Sequence, residues 1–262
     1  MRRLGILMCV AMLGCRGLLG IEDPIVGDGG DGRGSDGTAA CTGDDYDGDG
    51  TLDGCDPCPM YGTADADHDT DGDGVGDGCD PNRDVKGEKR LLWTHFASAS
   101  DIATWTVLGG NWFVKDGKLQ QADVAATGRI TPPDTYSNVH IATEIDILAK
   151  GTDPYAGACG YIGTNTFKCC DVREMTTAQL VELMAWNHIA VSVTDWTGGL
   201  QVGTAFELTN TALNGSHRCF VRRGTMNAEV MLTNADTGGK IALHTRFSSV
   251  AYRYLFVVQM PQ

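Results

Sequence analysis

The stretch Val139-His-Ile-Ala-Thr-Glu-Ile-Asp-Ile-Leu148 decides the fold class of this chain. Apolar and polar side chains alternate along it, which is the period of a β-strand with one buried face. Similar short runs follow at His188–Thr194, Ala228–Thr233 and Tyr252–Val258, separated by Gly, Asn and Asp. The pattern predicts a mostly β protein whose C-terminal domain, residues 91–262, is an antiparallel β-sandwich.

One segment of this domain is ambiguous. Met175–Trp186 offers the only credible helix, although Leu180–Met184 within it fits a strand equally well. We expect the rest of the domain to consist of strands joined by turns.

Acidic residues are concentrated in one part of the chain. The formal net charge is −14, and 20 of the 34 Asp and Glu residues lie between Glu22 and Arg90. Carboxylates at this density attract cations and repel nucleic acid, so we expect no nucleic-acid partner. Residues 15–40 are rich in Gly and Asp without an apolar period, which predicts a flexible tether.

The acidic part contains an internal repeat. Residues 45–57 (DYDGDGTLDGCDP) and 69–81 (DTDGDGVGDGCDP) share the pattern D-x-D-G-D-G-x-x-D-G-C-D-P. Calcium takes six to eight oxygen ligands, and EF-hand-like loops supply them from positions 1, 3, 5, 7 (a backbone carbonyl), 9 and 12. The predicted ligands are therefore Asp45, Asp47, Asp49, Thr51, Asp53 and Asp56 in the first copy, and Asp69, Asp71, Asp73, Val75, Asp77 and Asp80 in the second. Asp65 and Asp67 are candidates for a further ion.

The residues around the loops indicate the family. EF-hands and dockerins need flanking amphipathic helices, and no helical period flanks these loops. Asp45–Pro59 resembles the thrombospondin type 3 consensus D-x-D-G-D-G-x-x-D-x-C-D-x-C-P, and Asp65–Pro81 resembles the repeat that follows it. The resemblance implies an irregular stalk over residues 41–84, stabilised by calcium and by two disulfides. The implied pairs are Cys41 with Cys55 and Cys58 with Cys79.

Calcium binding and ordering of this segment are expected to be one event. The segment has almost no aliphatic residues, so little opposes the mutual repulsion of its carboxylates. We predict an affinity in the weak extracellular range, roughly 10⁻⁴ to 10⁻³ M, or somewhat tighter.

The N-terminus predicts export. Arg2 and Arg3 precede an apolar run that ends at Gly14, which is typical of a signal peptide over residues 1–14. Met12-Leu13-Gly14-Cys15 resembles the lipobox of bacterial lipoproteins, which implies that Cys15 is lipidated and anchors the protein to a membrane. We expect an outer-membrane or cell-surface lipoprotein, or otherwise a secreted protein.

An exported chain favours disulfides over free thiols. Besides the four cysteines of the acidic segment, the C-terminal domain has Cys159, Cys169, Cys170 and Cys219. Cys159 is expected to pair with Cys169 or Cys170, and the remaining one with Cys219, so that both bridges join neighbouring strands. The adjacent pair leaves the connectivity open.

The order of motifs in the C-terminal domain also resembles a known group. Trp105–Leu119 is similar to the opening hairpin of concanavalin-like, jelly-roll sandwiches of the laminin G kind, and Gly239–Phe247 with Ala251–Val258 is similar to their closing strands. The resemblance implies binding of a glycan or an extracellular protein, as in cell adhesion. The aromatic residues are candidates for a sugar-stacking face or for the core: Trp105, Trp112, Trp186, Trp196 and Tyr155.

An enzymatic function is the alternative. Glu144-Ile-Asp146-Ile resembles the E-x-D-x-x-E strand of a retaining glucanase family, but Ala149 occupies the third acidic position. A retaining hydrolase needs two carboxylates about 5 Å apart. The candidate partners are Glu174, Glu182, Glu207 and Glu229. No metal-ligand spacing relates His140, His188, His217 and His244.

We therefore favour a non-enzymatic, exported calcium-binding protein of the cell surface, with adhesion or glycan or protein binding through the sandwich. The alternative is a secreted glycoside hydrolase in which the acidic segment is only a spacer.

Overall fold

Antiparallel β-strands are the main secondary structure of the residues that the structure describes, which confirms the predicted mostly β fold class. The structure is a computed structural model that describes residues 41–162, 167–185, 189–233 and 238–261. Several sequence predictions lie outside these residues, namely the signal peptide (1–14), the tether (15–40), Cys15, Trp186 and His188. Among the described residues, no helix is long and apolar enough to cross a membrane.

The strands are numbered in chain order. They are β1 (Lys89–Thr94), β2 (Thr106–Val107), β3 (Trp112–Lys115), β4 (Lys118–Gln121), β5 (Thr127–Thr131), β6 (Val139–Ile162), β7 (Lys168–Glu174), β8 (Gln179–Ala185), β9 (Ile189–Asp195), β10 (Ala205–Leu213), β11 (Ser216–Arg223), β12 (Met226–Thr233), β13 (Lys240–Tyr252) and β14 (Leu255–Gln259). One turn of α-helix, α1 (Ala64–Asp67), precedes them, and a 3-10 turn, Ala99–Ile102, follows β1.

Two long strands, β6 and β13, take part in both layers of the sandwich. The first layer has the order β12-β11-β10-β6-β14-β1, and β13 and β4 continue it beside β6. The second layer has the order β9-β8-β7-β6-β13-β5-β2. The pairing of β6 with β13 shifts register near Phe247, and Asp153 and Phe247 have left-handed backbones (φ 56° and 48°). These local distortions carry each long strand from one layer to the other.

The core lies between the two layers. Val139, Ile141, Ile145 and Ile147 alternate along β6 and are buried in it, as the opening sequence pattern predicts. The helix considered for Met175–Trp186 is wrong. Gln179–Ala185 of this segment form strand β8, which pairs with β7 and β9 and buries Val181 and Leu183 in the same core.

Four disulfides link the described cysteines. Cys41–Cys55 and Cys58–Cys79 are the pairs that the thrombospondin type 3 resemblance implies. Cys159–Cys169 joins the neighbouring strands β6 and β7. Cys170–Cys219 instead joins β7 to β11 in the opposite layer, because adjacent residues of a strand point to opposite faces. The expectation that both bridges join neighbouring strands is therefore wrong for the second. Four disulfides are typical of an extracellular protein.

The bridge between the layers is expected to contribute more stability than the bridge within one layer. Cys170–Cys219 closes a separation of 49 residues and Cys159–Cys169 one of 10. Chain-entropy arguments therefore predict that Cys170→Ala/Cys219→Ala lowers the free energy of unfolding by about 1.4 kcal/mol more than Cys159→Ala/Cys169→Ala. Urea unfolding of both double variants measures the difference, and equal losses would contradict the prediction.

Residues 41–84 pack on the outer face of the first layer, and we call this segment the cap. Cap and sandwich belong to one compact unit, Cys41–Gln262. Apolar side chains from both parts form a single cluster. Its members are Tyr46, Cys58, Met60, Tyr61, Ala66, Val75 and Cys79 on the cap, and Trp93, Ala142, Tyr254, Phe256 and Val258 on the sandwich.

Trp93 of β1 lies at the centre of this contact. Its ring centroid is 5.5 Å from that of Tyr46, 5.7 Å from Tyr254 and 6.1 Å from Phe256. Its indole Nε1 donates a hydrogen bond of 3.0 Å to Asp53 Oδ2 in the cap. The contact therefore combines apolar packing with a polar link between the two parts.

Strand β14 explains why the cap docks here. Leu255 and Val257 face the core between the layers, whereas Phe256 and Val258 face the cap. A strand that is covered on both faces reads as a continuous apolar run. The cap, which the sequence predicted as a stalk, is irregular and disulfide-linked. It lies along the sandwich because this contact buries the apolar outer face of β14.

Candidate metal centre

The two Asp-rich loops have the same backbone conformation. The aspartate at position 1 accepts the backbone N–H groups of positions 4 and 6 in each loop: Asp45 from Gly48 and Gly50, and Asp69 from Gly72 and Gly74. Gly50 and Gly74 at position 6 have φ of 99° and 98°, a region that Gly adopts without steric cost. This is the turn that the sequence pattern predicts at position 6.

Positions 3, 5 and 12 each fix one carboxylate oxygen in the loop. Their Oδ1 atoms accept backbone N–H groups at 2.6–3.2 Å: Asp47 from Asp49, Asp49 from Thr51, Asp56 from Cys58, Asp71 from Asp73, Asp73 from Val75, and Asp80 from Asn82. Asp73 also accepts the Gly87 N–H through Oδ2 at 3.1 Å, whereas the Oδ2 atoms of Asp47, Asp56, Asp71 and Asp80 are buried without a hydrogen-bond partner.

The carboxylates of each loop converge. We define the second cluster as Asp71, Asp73, Asp80 and Glu88, whose ligand oxygens lie within 4.8 Å of one another. The first loop forms two such groups that share Asp49. We define their union as the first cluster: Asp45, Asp47, Asp49, Asp56 and Asp67. Both clusters could hold a metal ion, since carboxylate oxygens are the ligands that hard cations prefer.

Unpaired buried oxygens occur in both clusters, at positions 3 and 12 of each loop and at one carboxylate from outside the repeat. They are Oδ2 of Asp47 and Asp56 with Oδ1 of Asp67 in the first cluster, and Oδ2 of Asp71 and Asp80 with both oxygens of Glu88 in the second. Burying a carboxylate oxygen without a partner costs free energy unless a hydrogen bond or a cation compensates it. The repetition of the set indicates a shared role rather than a local defect.

The pKa values of these groups reflect the crowding. Burial raises the pKa of Glu88 to about 7, and the nearby Asp73 carboxylate acts in the same direction. Burial raises the pKa of Asp67 to about 7 and that of Asp80 to about 6, and neighbouring aspartates add to both shifts. Burial and the crowding of carboxylates therefore disfavour the ionised form of these three groups.

The structure does not bring the position-9 aspartates into either cluster. Asp53 accepts the N–H of Tyr46 at 3.0 Å and the indole N–H of Trp93 at 3.0 Å. Asp77 accepts the N–H of Thr70 at 2.9 Å and its hydroxyl at 2.7 Å. Both carboxylates thus close their loops, and Asp53 also attaches the first loop to the sandwich.

Position 1 differs between the two loops, and the ligands at position 7 stay a prediction. Asp69 lies outside the second cluster, whereas Asp45 belongs to the first, although both oxygens of each carboxylate accept backbone N–H groups. The backbone carbonyls of Thr51 and Val75 stay predicted ligands.

Glu88 is the candidate ligand that sequence reasoning missed. It lies outside the repeat, in Lys86-Gly-Glu-Lys-Arg90 just before β1, and is 3% exposed. Its only sequence signal is that it is the sole acidic residue of this basic stretch. Asp67, which the sequence offered for a further ion, belongs to the first cluster, whereas Asp65 is exposed.

The aromatic residues considered for a sugar-stacking face do not form one. Trp196 and Tyr155 are buried in the sandwich. Trp105 and Trp112 pack against the core between the layers. The four described members of this set therefore do not form a common exposed surface of aromatic rings.

The carboxylates of the hydrolase alternative are held in ion pairs. Arg253 lies 2.8 Å from Asp146 Oδ1 and 3.2 Å from Glu144 Oε1. Glu144 is directly opposite Glu207 in the β6–β10 ladder. Glu207, however, accepts a 2.9 Å hydrogen bond from Arg222. Arg253 therefore pairs with both Glu144 and Asp146, and Arg222 pairs with Glu207.

The remaining acidic candidates are also engaged. Glu174 is 2.7 Å from Lys150 and Glu229 is 2.7 Å from Arg218. Glu182 is fully buried opposite Asp171 in the β7–β8 ladder, and burial raises its pKa to about 7. Complete burial keeps this pair from contacting a substrate. The histidines His217 and His244 are buried as well, and His140 is half-buried.

Comparison with known proteins places the fold. No protein-family profile matches the chain, and no curated protein matches it. A galectin-like protein of unknown function from Bacillus subtilis is 12% identical over 66% of this chain and 98% of its own, with a TM-score of 0.51. Peanut lectin, in complex with a 9-residue peptide, is 8% identical over 67% and 99%, with a TM-score of 0.52.

A third structure is the GH43 protein BlXynB from Bacillus licheniformis. It is 11% identical over 67% of this chain and 40% of its own, with a TM-score of 0.52. At these identities the similarities concern the fold alone, and they show that this chain has a lectin-like β-sandwich.

Proposed function

We propose that this protein is an exported calcium-binding protein in which calcium fills the two clusters and fixes the cap on a ligand-binding sandwich. The observation that carries the proposal is the matched set of buried, unpaired carboxylate oxygens in the two loops. The four disulfides fit export into an oxidising compartment.

The residues of each cluster fit calcium. Asp71, Asp73, Asp80 and Glu88 would hold one ion, and the five aspartates of the first cluster would hold another. The Thr51 and Val75 carbonyls at position 7 would add a neutral ligand to each. Calcium accepts six to eight oxygens in a flexible shell, whereas magnesium demands a near-ideal octahedron and keeps its waters.

The role of calcium would be structural. It would neutralise the loops and so let the cap rest on β14 and β1 without mutual repulsion of its carboxylates. Because the apolar cluster around Trp93 and Phe256 also holds the cap, loss of calcium is expected to loosen the cap while the sandwich stays folded. This differs from a free stalk, in which only calcium would oppose the repulsion.

The sandwich would bind a glycan or an extracellular protein without catalysis, as in adhesion. Peanut lectin, which shares the fold, is by its name a lectin, so a sugar is the first ligand to test. The anchor remains part of the proposal. Lipidation of Cys15 would place the protein at the outer membrane or cell surface, and ordinary cleavage would secrete it.

Thermal unfolding of Cys41–Gln262 with and without calcium tests the proposal. At a calcium concentration about 100 times the dissociation constant, each site adds about 2.7 kcal/mol. That corresponds to a rise in Tm of roughly 5–10 °C for a chain of this size. Magnesium at the same concentration is the control and should raise Tm much less. An unchanged Tm at that calcium concentration would refute the proposal.

A further inference from the structure

A cavity of about 1000 Å³ lies where the cap meets the outer face of the first layer. We call it the junction groove. Its cap wall comes from residues 60–83 and includes Tyr61 and Arg83. Its sheet wall comes from β6, β10 and β11 and includes Thr209, Phe220 and Arg222. The volume lies at the upper end of the range for small-molecule sites, which suits a chain of several rings rather than one.

The sheet wall offers an aromatic ring beside polar groups. Side chains alternate along β10 and β11, so Glu207 and Thr209 share the outer face with Phe220 and Arg222. Thr209 is the ladder partner of Phe220, and Glu207 that of Arg222. The half-buried ring of Phe220 therefore neighbours the Glu207–Arg222 ion pair on the same face of the sheet, two residues along the ladder.

The cap wall continues this chemistry from the other side. The Tyr61 hydroxyl donates a 3.4 Å hydrogen bond to Glu207 Oε2 and so joins the two walls. On the sheet side, His140 uses Nδ1 in a 2.8 Å contact with the Thr211 hydroxyl, which leaves Nε2 for another partner. A hydroxyl-rich molecule in the groove would thus meet donors, acceptors and aromatic faces from both walls.

The charges in the groove exclude an anionic ligand. Arg222 is paired with Glu207, and Arg83 Nη2 donates to Asp77 Oδ2 at 3.0 Å. The lining also includes Asp65 and Asp80, so carboxylates outnumber guanidiniums. Each arginine already has its carboxylate, and a sulfated or phosphorylated ligand would meet surplus negative charge. Paired arginine and carboxylate groups can still exchange hydrogen bonds with neutral hydroxyls.

We propose that the junction groove binds a short neutral oligosaccharide and that this binding requires calcium in the second cluster. Sugar rings lie against Phe220 and Tyr61, and their hydroxyls bond to Glu207, Arg222 and His140. The proposal rests on the proposed function, because it assigns the glycan of the sandwich to one place and one chemical class.

The calcium requirement follows from the cap wall. Asp77–Pro81 lines the groove, and Asp80 in that stretch is also a member of the second cluster. Without a cation, repulsion among Asp71, Asp73 and Asp80 loosens the loop that carries this wall. Because such coupling is reciprocal, the oligosaccharide should raise calcium affinity by the same factor as calcium raises oligosaccharide affinity.

The test uses Cys41–Gln262 and a panel of cello-, xylo-, manno- and galacto-oligosaccharides of two to six units. Binding is measured by calorimetry in millimolar calcium and again in excess chelator. We expect at least one neutral series to bind, and chelator to weaken it at least tenfold. We also expect Phe220→Ala to weaken it at least tenfold, while Met231→Ala, at a 59% exposed position on β12 outside the groove, leaves it unchanged.

Since Phe220 is half-buried, Arg222→Ala at a more exposed position serves as a second groove variant, and circular dichroism verifies that both fold. Equal binding by wild type and both groove variants would overturn the groove assignment. Preference for sulfated oligosaccharides of the same series would overturn the assignment to a neutral ligand. Tm shifts in calcium separate these failures from a failure of calcium binding, because the shifts need no sugar.

Discussion

Replacing Asp71 and Asp80 by asparagine is expected to remove calcium from the second cluster and to leave the first cluster occupied. Asparagine preserves the side-chain oxygen that accepts the N–H of Asp73 or Asn82, so the loop keeps its hydrogen bonds. Two of the four carboxylates lose their charge, and calcium affinity depends on the number of charged ligands. We expect the dissociation constant of this site to rise at least 100-fold, or about 2.7 kcal/mol. Equilibrium dialysis with radioactive calcium counts the ions that remain bound.

Matched variants make this prediction specific. Asp47→Asn/Asp56→Asn changes the equivalent pair of the first cluster and should remove the other ion. Asp65→Asn/Asp84→Asn removes the same charge from exposed residues outside both clusters and should change neither site. If all three double variants weaken calcium binding equally, calcium is attracted by the overall charge of the cap, and the two defined clusters are not sites.

Phe256→Ala is expected to lower the free energy of unfolding by about 3–5 kcal/mol and to release the cap. Phe256 is fully buried between β14 and the cap, and its ring lies 6.1 Å from that of Trp93. Removing a buried phenylalanine side chain costs this much because it leaves a cavity as well as losing burial. Urea unfolding gives the stability, and limited proteolysis of residues 41–84 reports on the cap.

The control for Phe256→Ala is Leu183→Ala. Leu183 is equally buried but faces the core between the layers, away from the cap. It should cost about 2–5 kcal/mol and leave calcium affinity and cap proteolysis unchanged under native conditions. Phe256→Ala should weaken calcium binding as well, because docking and loop order support each other. Identical behaviour of the two variants would mean that the cap is not held through Phe256.

The local parts of the structure could be predicted from sequence because their information is local. Gly50 and Gly74 mark the turn of each loop, and alternation along Val139–Leu148 marks a strand with one face in the core. In both cases a short run of residues determines the backbone that it adopts. The cysteine pairs of the cap were predicted in a different way, because the resemblance to thrombospondin type 3 repeats implied them.

The ligand set was harder to predict, because the loop pattern does not show what each carboxylate oxygen contacts. Asp53 and Asp77 occupy a ligand position by pattern, yet Asp53 bonds the Trp93 indole and both close their loops through backbone N–H groups. Glu88 converges on the second cluster from outside the repeat. Contacts of this kind depend on how distant segments pack.

The sequence contains one indication that the cap docks on β14, and it is a continuous apolar run rather than an alternating pattern. Leu255–Val258 is apolar at every position, which indicates a strand covered on both faces. The sequence does not say which segment supplies the cover. Likewise, Leu180–Met184 fits either a helix or a strand by itself, and pairing with β7 and β9 decides for the strand.

Calorimetric titration of metal-free, oxidised Cys41–Gln262 with calcium is the most direct test of calcium binding by the cap. We expect two or more sites with dissociation constants of roughly 10⁻⁴ to 10⁻³ M or tighter, and a rise in Tm over the same concentrations. The absence of binding heat and of any Tm change up to millimolar calcium would contradict calcium binding. The cap would then be an acidic cover for β14 and no metal centre.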